Sequence, residues 1–412
     1  MKKVKLTGYV EGEESLRTLV ETGYGKVLVE SPRYSLLCLL NESRKDEYEE
    51  IKRLFELGKE LDPQLEIVFN LDIIPHENEL PDIERLIHGL LKIGYDGIRV
   101  QDMGVATIIR DMTPELKFEI NSYTGNNNPE AVLFLEKAMG PGLSGITLSK
   151  EIDIRDLTEI CHRMSVRAEI MVHGPILLFH SRRRLLKLSD FSGESYVEKD
   201  NYALWLKESK RPDDWFLFRD SAHGSFMFFC HELCLIKHVR ELMELGPDYW
   251  LVDMRGKSGD VLKIVTEKYF GRMEDALSGD YHESEGNRLY DEIEKLYPQG
   301  LTEGFFLENT TDSRVRSAGE DLGDCVGRVI SVVKEKVMAV EILGDLRAGE
   351  ELIVRTPEGK CLNYCASEIR TLEGQDVREL FVDHVYLFNW RKGLTAKCLI
   401  FKKDRLGNCV LS

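Results

Sequence analysis

The chain reads as an α/β protein, a TIM-like (β/α)8 barrel over residues 1–309 followed by a small all-β barrel over 310–412. Three observations predict this. Eight short β-prone runs alternate with stretches whose apolar residues recur at helical spacing, the pattern of a parallel sheet closed by crossover helices. No Gly-x-Gly-x-x-Gly follows the first run, which disfavours an open dinucleotide-binding sheet. From about Thr310 the period changes from helical to two.

The expected strands, in order, are Val4–Thr7, Val27–Glu30, Glu66–Asn70, Gly97–Gln101, Lys117–Ser122, Gly145–Ser149, Arg167–His173 and Trp250–Met254. Helix candidates lie between them at Asp46–Leu61, Pro81–Ile93, Pro129–Met139 and Ile154–Met164, each with one apolar face to bury against the sheet. An insertion at about 175–230 separates the last two strands. It is charged around Glu198 and Lys207, carries Trp205 and Trp215, and is read either as a lid or as a structural β-hairpin flap. In the carboxyl-terminal part, Val326–Val333, Val337–Ile342, Glu351–Arg355, Val385–Phe388 and Ala396–Phe401 alternate with turns such as Thr356-Pro-Glu-Gly359.

Composition narrows the function. Hydrophobic residues make up 42% of 412, enough for a normal core. The net charge of −17 argues against a surface coated for non-specific nucleic-acid binding, so any RNA contact has to be local. No apolar run reaches the ~18 residues of a membrane span, and the first residues lack a signal-peptide core. Nine cysteines, mostly isolated, do not form a secreted disulfide pattern. No membrane partner and a cytoplasmic address are therefore expected.

Polar residues end the proposed strands, where a barrel places its active site. The stretch Glu169-Ile-Met-Val-His-Gly174 is an apolar strand stopping at His173, after which a turn delivers Ser181 and the run Arg182-Arg-Arg184. Histidine titrates near neutrality and arginines hold phosphate or carboxylate through paired hydrogen bonds. Arg255 and Lys257 are expected to reach the same anion from the eighth strand, so that His173 and Arg182–Arg184 line one pocket. Glu151, Asp102 and Glu169 are the candidate catalytic carboxylates beside His173. On a helix, Cys230, Cys234 and His238 would share a face within reach of one metal, a weaker candidate because the spacing matches no standard zinc pattern. Cys38 is a further thiol for such a site. No Gly-x-Ser-x-Gly, Walker loop or Cys-x-x-Cys occurs.

Several of these stretches together resemble the peptidase U32 family, the collagenase-like proteases. They are Gln101-Asp-Met-Gly104, Thr147-Leu-Ser-Lys-Glu151, Glu169-Ile-Met-Val-His-Gly174 with Ser181 and Leu185-Leu186, Glu232-Leu-Cys-Leu235 and Asp253-Met-Arg-Gly-Lys257. The resemblance implies a barrel catalytic domain, often with a small β-barrel behind it. It also implies relatives engaged in oxygen-independent hydroxylation of tRNA, rRNA or quinone precursors, many with an iron–sulfur cluster on four cysteines. Here the matching cysteine positions hold Pro175-Ile-Leu-Leu178 and Arg182-Arg-Arg184, and only Cys234 stands at a usual ligand position. The four-iron cluster is therefore expected to be absent, with no other cofactor expected. The resulting expectation is a protein acting on RNA (tRNA or rRNA) or an anionic metabolite, alone or with a U32-family partner subunit. A collagenase-like peptidase and a non-catalytic scaffold are the alternatives.

Overall fold

The computed structural model describes residues 4–38, 47–113, 115–122, 125–185, 202–208, 211–297, 300–307, 325–356, 361–372, 374–382, 384–394 and 398–403. They divide into two compact units, Met1–Val315 and Arg316–Ser412.

The first unit is built on β1 (Lys5–Val10), β2 (Lys26–Val29), β3 (Glu66–Leu71), β4 (Gly97–Val100), β5 (Phe118–Asn121), β6 (Leu143–Thr147), β7 (Arg167–Ser181), β8 (Tyr202–Glu208), β9 (Arg211–Ser221), β10 (Gly224–Cys234) and β11 (Tyr249–Val252). Strands β1 to β7 pair in parallel in sequence order, and β11 pairs with both β7 and β1 to close an eight-stranded barrel. All eight expected strands are there. The wall outside consists of α1 (Glu13–Glu21), α2 (Glu47–Leu61), α3 (Leu80–Ile93), α4 (Met103–Met112), α5 (Pro129–Met139), α6 (Ile154–Arg163), α7 (Val239–Leu245), α8 (Gly259–Ser278) and α9 (Glu283–Glu294).

Local chemistry explains where the helices begin and end. Asp102, Asn128, Asp153 and Ser258 each accept a backbone N–H of the first turn and so satisfy donors the helix cannot. α3 buries Ile83, Leu86, Ile87 and Leu90 at three- and four-residue spacing and stops at Gly94, whose φ of 99° favours glycine.

The barrel interior is charged rather than oily. Lys26, Arg99, Glu119 and Glu169 are all fully buried and point inward from β2, β4, β5 and β7. Lys26 Nζ lies 3.0 Å from Glu119 and 2.8 Å from Glu169. Arg99 lies 2.8 Å from Glu119 and 2.7 Å from Glu169. Thr7 and Thr147 donate to Glu169 at 2.8 and 3.0 Å. Two cations and two anions cancel, which is what makes their removal from water tolerable. Burial alone would raise the Glu169 carboxyl, but Arg99 and Lys26 overcome it and hold the group well below the usual carboxylate range.

One strand departs from expectation. β7 does not stop at His173. It runs on to Ser181 as part of the antiparallel extension β7-β10-β9-β8, with β12 (Leu301–Thr302) beside β10. Gly174 makes the passage possible: its φ is 130°, and a Cβ there would stand 2.5 Å from the Asp253 carbonyl oxygen. The turn expected after His173-Gly174 is therefore absent, and the described part of the insertion is an antiparallel sheet.

The second unit is a separate seven-stranded antiparallel sheet that curls around its own core. Its strands are β13 (Cys325–Val333), β14 (Val337–Ile342), β15 (Glu351–Arg355), β16 (Cys361–Cys365), β17 (Ile369–Arg370), β18 (Val385–Asn389) and β19 (Leu399–Lys402), in the order β16-β15-β19-β13-β14-β18-β17. Met338, Val340 and Ile342 alternate inward along β14 and meet Leu352, Val354, Phe388 and Ile400.

Glu169→Gln removes one charge from the barrel's interior quartet and leaves Lys26 and Arg99 under-compensated. The expected loss is about 3–5 kcal/mol, measured by denaturant unfolding. Because the carboxyl is held low, its contribution is present above the unfolded carboxylate range and is lost as pH falls, so wild type and variant should converge in acid.

Candidate functional site

The carboxyl-terminal rim of the barrel gathers Tyr9, Glu30, Asn70, Asp72, Asp253 and Arg255, all buried. Arg255 is held on every side. Its Nε lies 2.9 Å from Asp253 Oδ1, its second amino nitrogen 2.5 Å from Oδ2, and its first 2.9 Å from Glu30. The guanidinium carbon stands 3.7 Å over the Tyr9 ring. Asn70 donates to Glu30 at 3.0 Å. Burial pushes the Glu30 carboxyl up to about 7 despite the opposing pull of Arg255.

Above this layer lies a cavity of about 270 Å3. Its floor is Pro175 on β7, Glu232 on β10 and Arg255-Gly-Lys257 after β11, and one wall is Leu36-Leu-Cys38 after β2. Its roof is the extension sheet, in which Leu217, Arg219 and Ser221 line the cavity from one face of β9, and Phe226, Phe228 and Phe229 from β10. Two histidines tie the roof to the rim. His223, in the β9–β10 turn, donates from Nε2 to the Pro32 carbonyl at 2.7 Å, and His180 Nε2 reaches the His223 carbonyl at 3.2 Å while stacking on Phe226. Lys257 pairs with Glu232 at 2.5 Å and sits 4.5 Å over the Tyr297 ring.

The expected site residues fall in several places. His173 is fully buried and shares a 2.7 Å hydrogen bond between Nε2 and the Tyr297 hydroxyl, with Tyr269 edge-on to the ring. Burial, reinforced by Lys257, lowers its pKa to about 3, so it is a neutral core histidine rather than one that titrates near neutrality. Glu169 belongs to the interior quartet below the rim. Asp102 is the cap of α4, accepting from Val105 N at 2.9 Å, and Glu151 is exposed and accepts from Asn127 at 2.8 Å.

The expected single pocket is corrected to two. Arg182 lines a separate small recess with Glu79, His180 and His223, its guanidinium 3.6 Å from Glu79. His173 lines neither it nor the larger cavity. The cause is the length of β7: an extended strand rises about 3.3 Å per residue, so Ser181, Arg182, Arg183 and Arg184 are carried well beyond the rim. Ser181 Oγ accepts the Arg183 N–H at 3.2 Å, and Arg182 and Arg183 are exposed.

The metal candidate is corrected as well. Cys230 and Cys234 lie on strand β10 and His238 in a following 3-10 turn, so no helix aligns them. Cys230 contacts its neighbour His231 at 3.1 Å. Cys234 packs under Tyr269. His238 lies 2.9 Å from Glu303 and 3.9 Å from Glu241. Against the cost of burial, these two carboxylates raise it to about 9. No three His, Cys, Asp or Glu side chains are grouped to hold a metal among the described residues.

The same observation bears on a four-iron cluster. The barrel unit contains Cys38, Cys161, Cys230 and Cys234, all described, and they do not converge. Burial pushes the Cys161 and Cys234 thiols up to about 12, the opposite of what a thiolate ligand needs. These residues do not fit the cluster.

Sequence reasoning missed Arg219, Glu232 and the Phe226–Phe229 segment as cavity walls. The available signal was the alternation of Leu217, Arg219 and Ser221, which places one charge on an otherwise mild strand face.

The molecule is thus a parallel (β/α)8 barrel whose rim carries a roofed cavity, with a second β unit on the same chain. The profile of Peptidase family U32 matches residues 12–316. The chain belongs to that family. It is similar to tRNA hydroxylation protein P of Escherichia coli strain K12, 22% identical over 88% of this chain and 88% of that protein. It is similar to tRNA hydroxylation protein P2 of Bacillus subtilis strain 168, 22% identical over 75% of this chain and 99% of that protein. A 23S rRNA 5-hydroxycytidine synthase of Escherichia coli is 23% identical over 70% of this chain and 44% of its own length.

His238 supplies a pH test of the geometry. Its pKa rises from 6.5 to about 9 on folding, so its contribution to stability is complete below 6.5 and is lost as pH rises through 9. Thermal melts across this window should show a falling wild-type midpoint, and His238→Gln should flatten that fall. An unchanged slope would contradict the pairing with Glu303.

Proposed function

We propose that this chain takes part in the hydroxylation of RNA bases, with tRNA or rRNA as its substrate. The observation that carries this reading is the extent of the likeness: the two tRNA hydroxylation proteins above align with 88% and 75% of this chain. The relative that acts on 23S rRNA keeps the chemistry on a pyrimidine.

The charge distribution supports a confined contact. In a chain of net charge −17, the cavity brings Arg219, Arg255 and Lys257 to one place, with Arg255 balanced by Asp253 and Glu30 and Lys257 paired with Glu232, so cationic groups are concentrated there rather than spread over the surface. Chemistry on a base requires that base to leave its stack, and a roofed cavity on a barrel rim is a place to receive it.

The anion-binding role of Arg182–Arg184 becomes, on this reading, a peripheral contact for the RNA backbone. Glu30, with its raised carboxyl, is the group best placed to exchange a proton at neutral pH near the cavity floor. The chain itself works without a four-iron cluster, and if the reaction needs one, a second U32-family subunit supplies it. No helix among the described residues is long and apolar enough to cross a membrane.

Nucleoside mass spectrometry of tRNA and rRNA from a strain lacking this gene should show one hydroxylated pyrimidine lost and then restored by the intact gene. Unchanged nucleoside profiles would contradict the function. Anaerobic reconstitution of the purified chain should yield far less than about four irons per chain. A full complement that disappears with Cys234→Ala would overturn the cofactor proposal.

A further inference from the structure

The roof of the cavity is joined to the barrel through a broken ladder. Phe228 of β10 pairs with Leu177 and Glu232 pairs with Pro175, so Phe229, Cys230 and His231 stand opposite Ile176 alone. Immediately above, Met227 pairs with Phe179, which leaves Leu178 unmatched on β7. Two successive register shifts interrupt the backbone hydrogen bonds that would carry a strand pair rigidly from wall to roof. Beyond the break the pairing is regular again, with Gly224–Met227 matched without a shift to Phe218–Ser221 of β9. The roof is thus one ordered piece on a weakened base.

Between this piece and the rim lies the cavity itself. Leu217, Ser221 and Phe226 line it from the roof, and Leu36, Pro175 and Gly256 line it from below, around about 270 Å3. Lifting the roof therefore separates less packed apolar surface than lifting a sheet seated on a filled core. The tip of the roof is held by polar contacts. His223, in the β9–β10 turn, donates to the Pro32 carbonyl at 2.7 Å, and Arg182 stands 3.6 Å from Glu79 in an exposed pair that contributes little. A broken ladder at one end, a hydrogen-bonded tip at the other and a cavity between them are the parts of a lid.

We propose that the antiparallel extension is a lid over the cavity, hinged at the shifted ladder between β7 and β10 and latched by the His223–Pro32 hydrogen bond. When the latch opens, the roof swings about Phe229–His231 and the cavity admits its ligand. When it closes, the ligand is enclosed. The lid goes beyond the RNA reading and stands without it, because it governs access for whatever the cavity binds. On the RNA reading, the latch sets the fraction of time in which a base turned out of its strand can enter.

Hydrogen–deuterium exchange on the purified full chain tests the lid with no ligand present. Amides of 217–228 should exchange with one common protection factor, and faster than those of β1 to β6. His223→Ala, which removes the latch donor, should speed exchange across 217–228 by about two- to tenfold, the worth of one hydrogen bond. The same variant should leave β1 to β6 unchanged, and His223→Gln, which keeps a donor, should restore part of the protection. Roof amides as slow as those of β1 to β6 in the wild type, or roof and barrel sped alike by His223→Ala, would overturn the lid. The wild-type comparison decides this even where the alanine variant does not fold. Stopped-flow mixing with fluorescently labelled cellular tRNA then tests the gate. His223→Ala should bind and release tRNA faster by the same about two- to tenfold, and unchanged or slower association by the folded variant would overturn the latch. Absence of tRNA binding by the wild type refutes the RNA reading alone, whereas a roof that exchanges like the barrel refutes the lid alone.

Discussion

Everything at the rim depends on four charges that cancel inside the barrel. Lys26, Arg99, Glu119 and Glu169 fill the interior where most parallel barrels pack branched aliphatic side chains. Their mutual distances of 2.7–3.1 Å tie β2, β4, β5 and β7 across the barrel axis, which neighbour-to-neighbour backbone pairing cannot do. Burial takes back much of what attraction gives, so the net contribution of such a network to stability is smaller than its short distances suggest. Its consequence is positional. With the strands pinned from inside, Glu30, Asp253 and Arg255 stand directly above on fixed backbones, and Arg255 forms a rigid floor under the cavity.

A second constraint comes from Gly174. A strand that ends at the rim, as β1 to β6 do, leaves the space above the barrel to loops. β7 instead passes through a glycine at φ 130° and rises into an antiparallel extension of the same sheet, where β10 and β9 join it. The roof is therefore continuous with the wall. That continuity converts an open rim into a cavity with an aromatic ceiling, and it also removes Arg182–Arg184 from the place where the linear sequence seems to deliver them.

The sequence made the scaffold legible and the site only partly so. The barrel strands were readable because each apolar run is bounded by polar residues and followed by helical periodicity. α1 and α4 escaped because they are short and begin immediately after their strands, leaving little sequence to show a period. Strands β16 and β17 escaped for the same reason. His173 looked like a proton carrier because a histidine ending an apolar strand is indistinguishable, in sequence, from one facing solvent. Its burial comes from Tyr269 and Tyr297, about 100 residues away or more. Cys230 and Cys234 looked helical because a spacing of four fits a helix face and a strand face alike. Arg255 stands at the rim beside Asp253, its neighbour two residues back, but its contact to Glu30 was not foreseeable, since Glu30 lies far back in the chain. Cavity walls built from five separate segments leave no local motif.

The central claim is that an acidic protein contacts RNA through one cavity rather than through a cationic surface. The salt dependence of RNA binding measures this directly, because the slope of log K against log salt counts the phosphates neutralised. With Lys257 at the cavity and Arg182–Arg184 as the peripheral contact, binding of tRNA to the full chain should fall with a slope of about −3 to −4. A slope of about −8 or steeper, which requires a broad basic face, or no measurable binding at low salt, would contradict it.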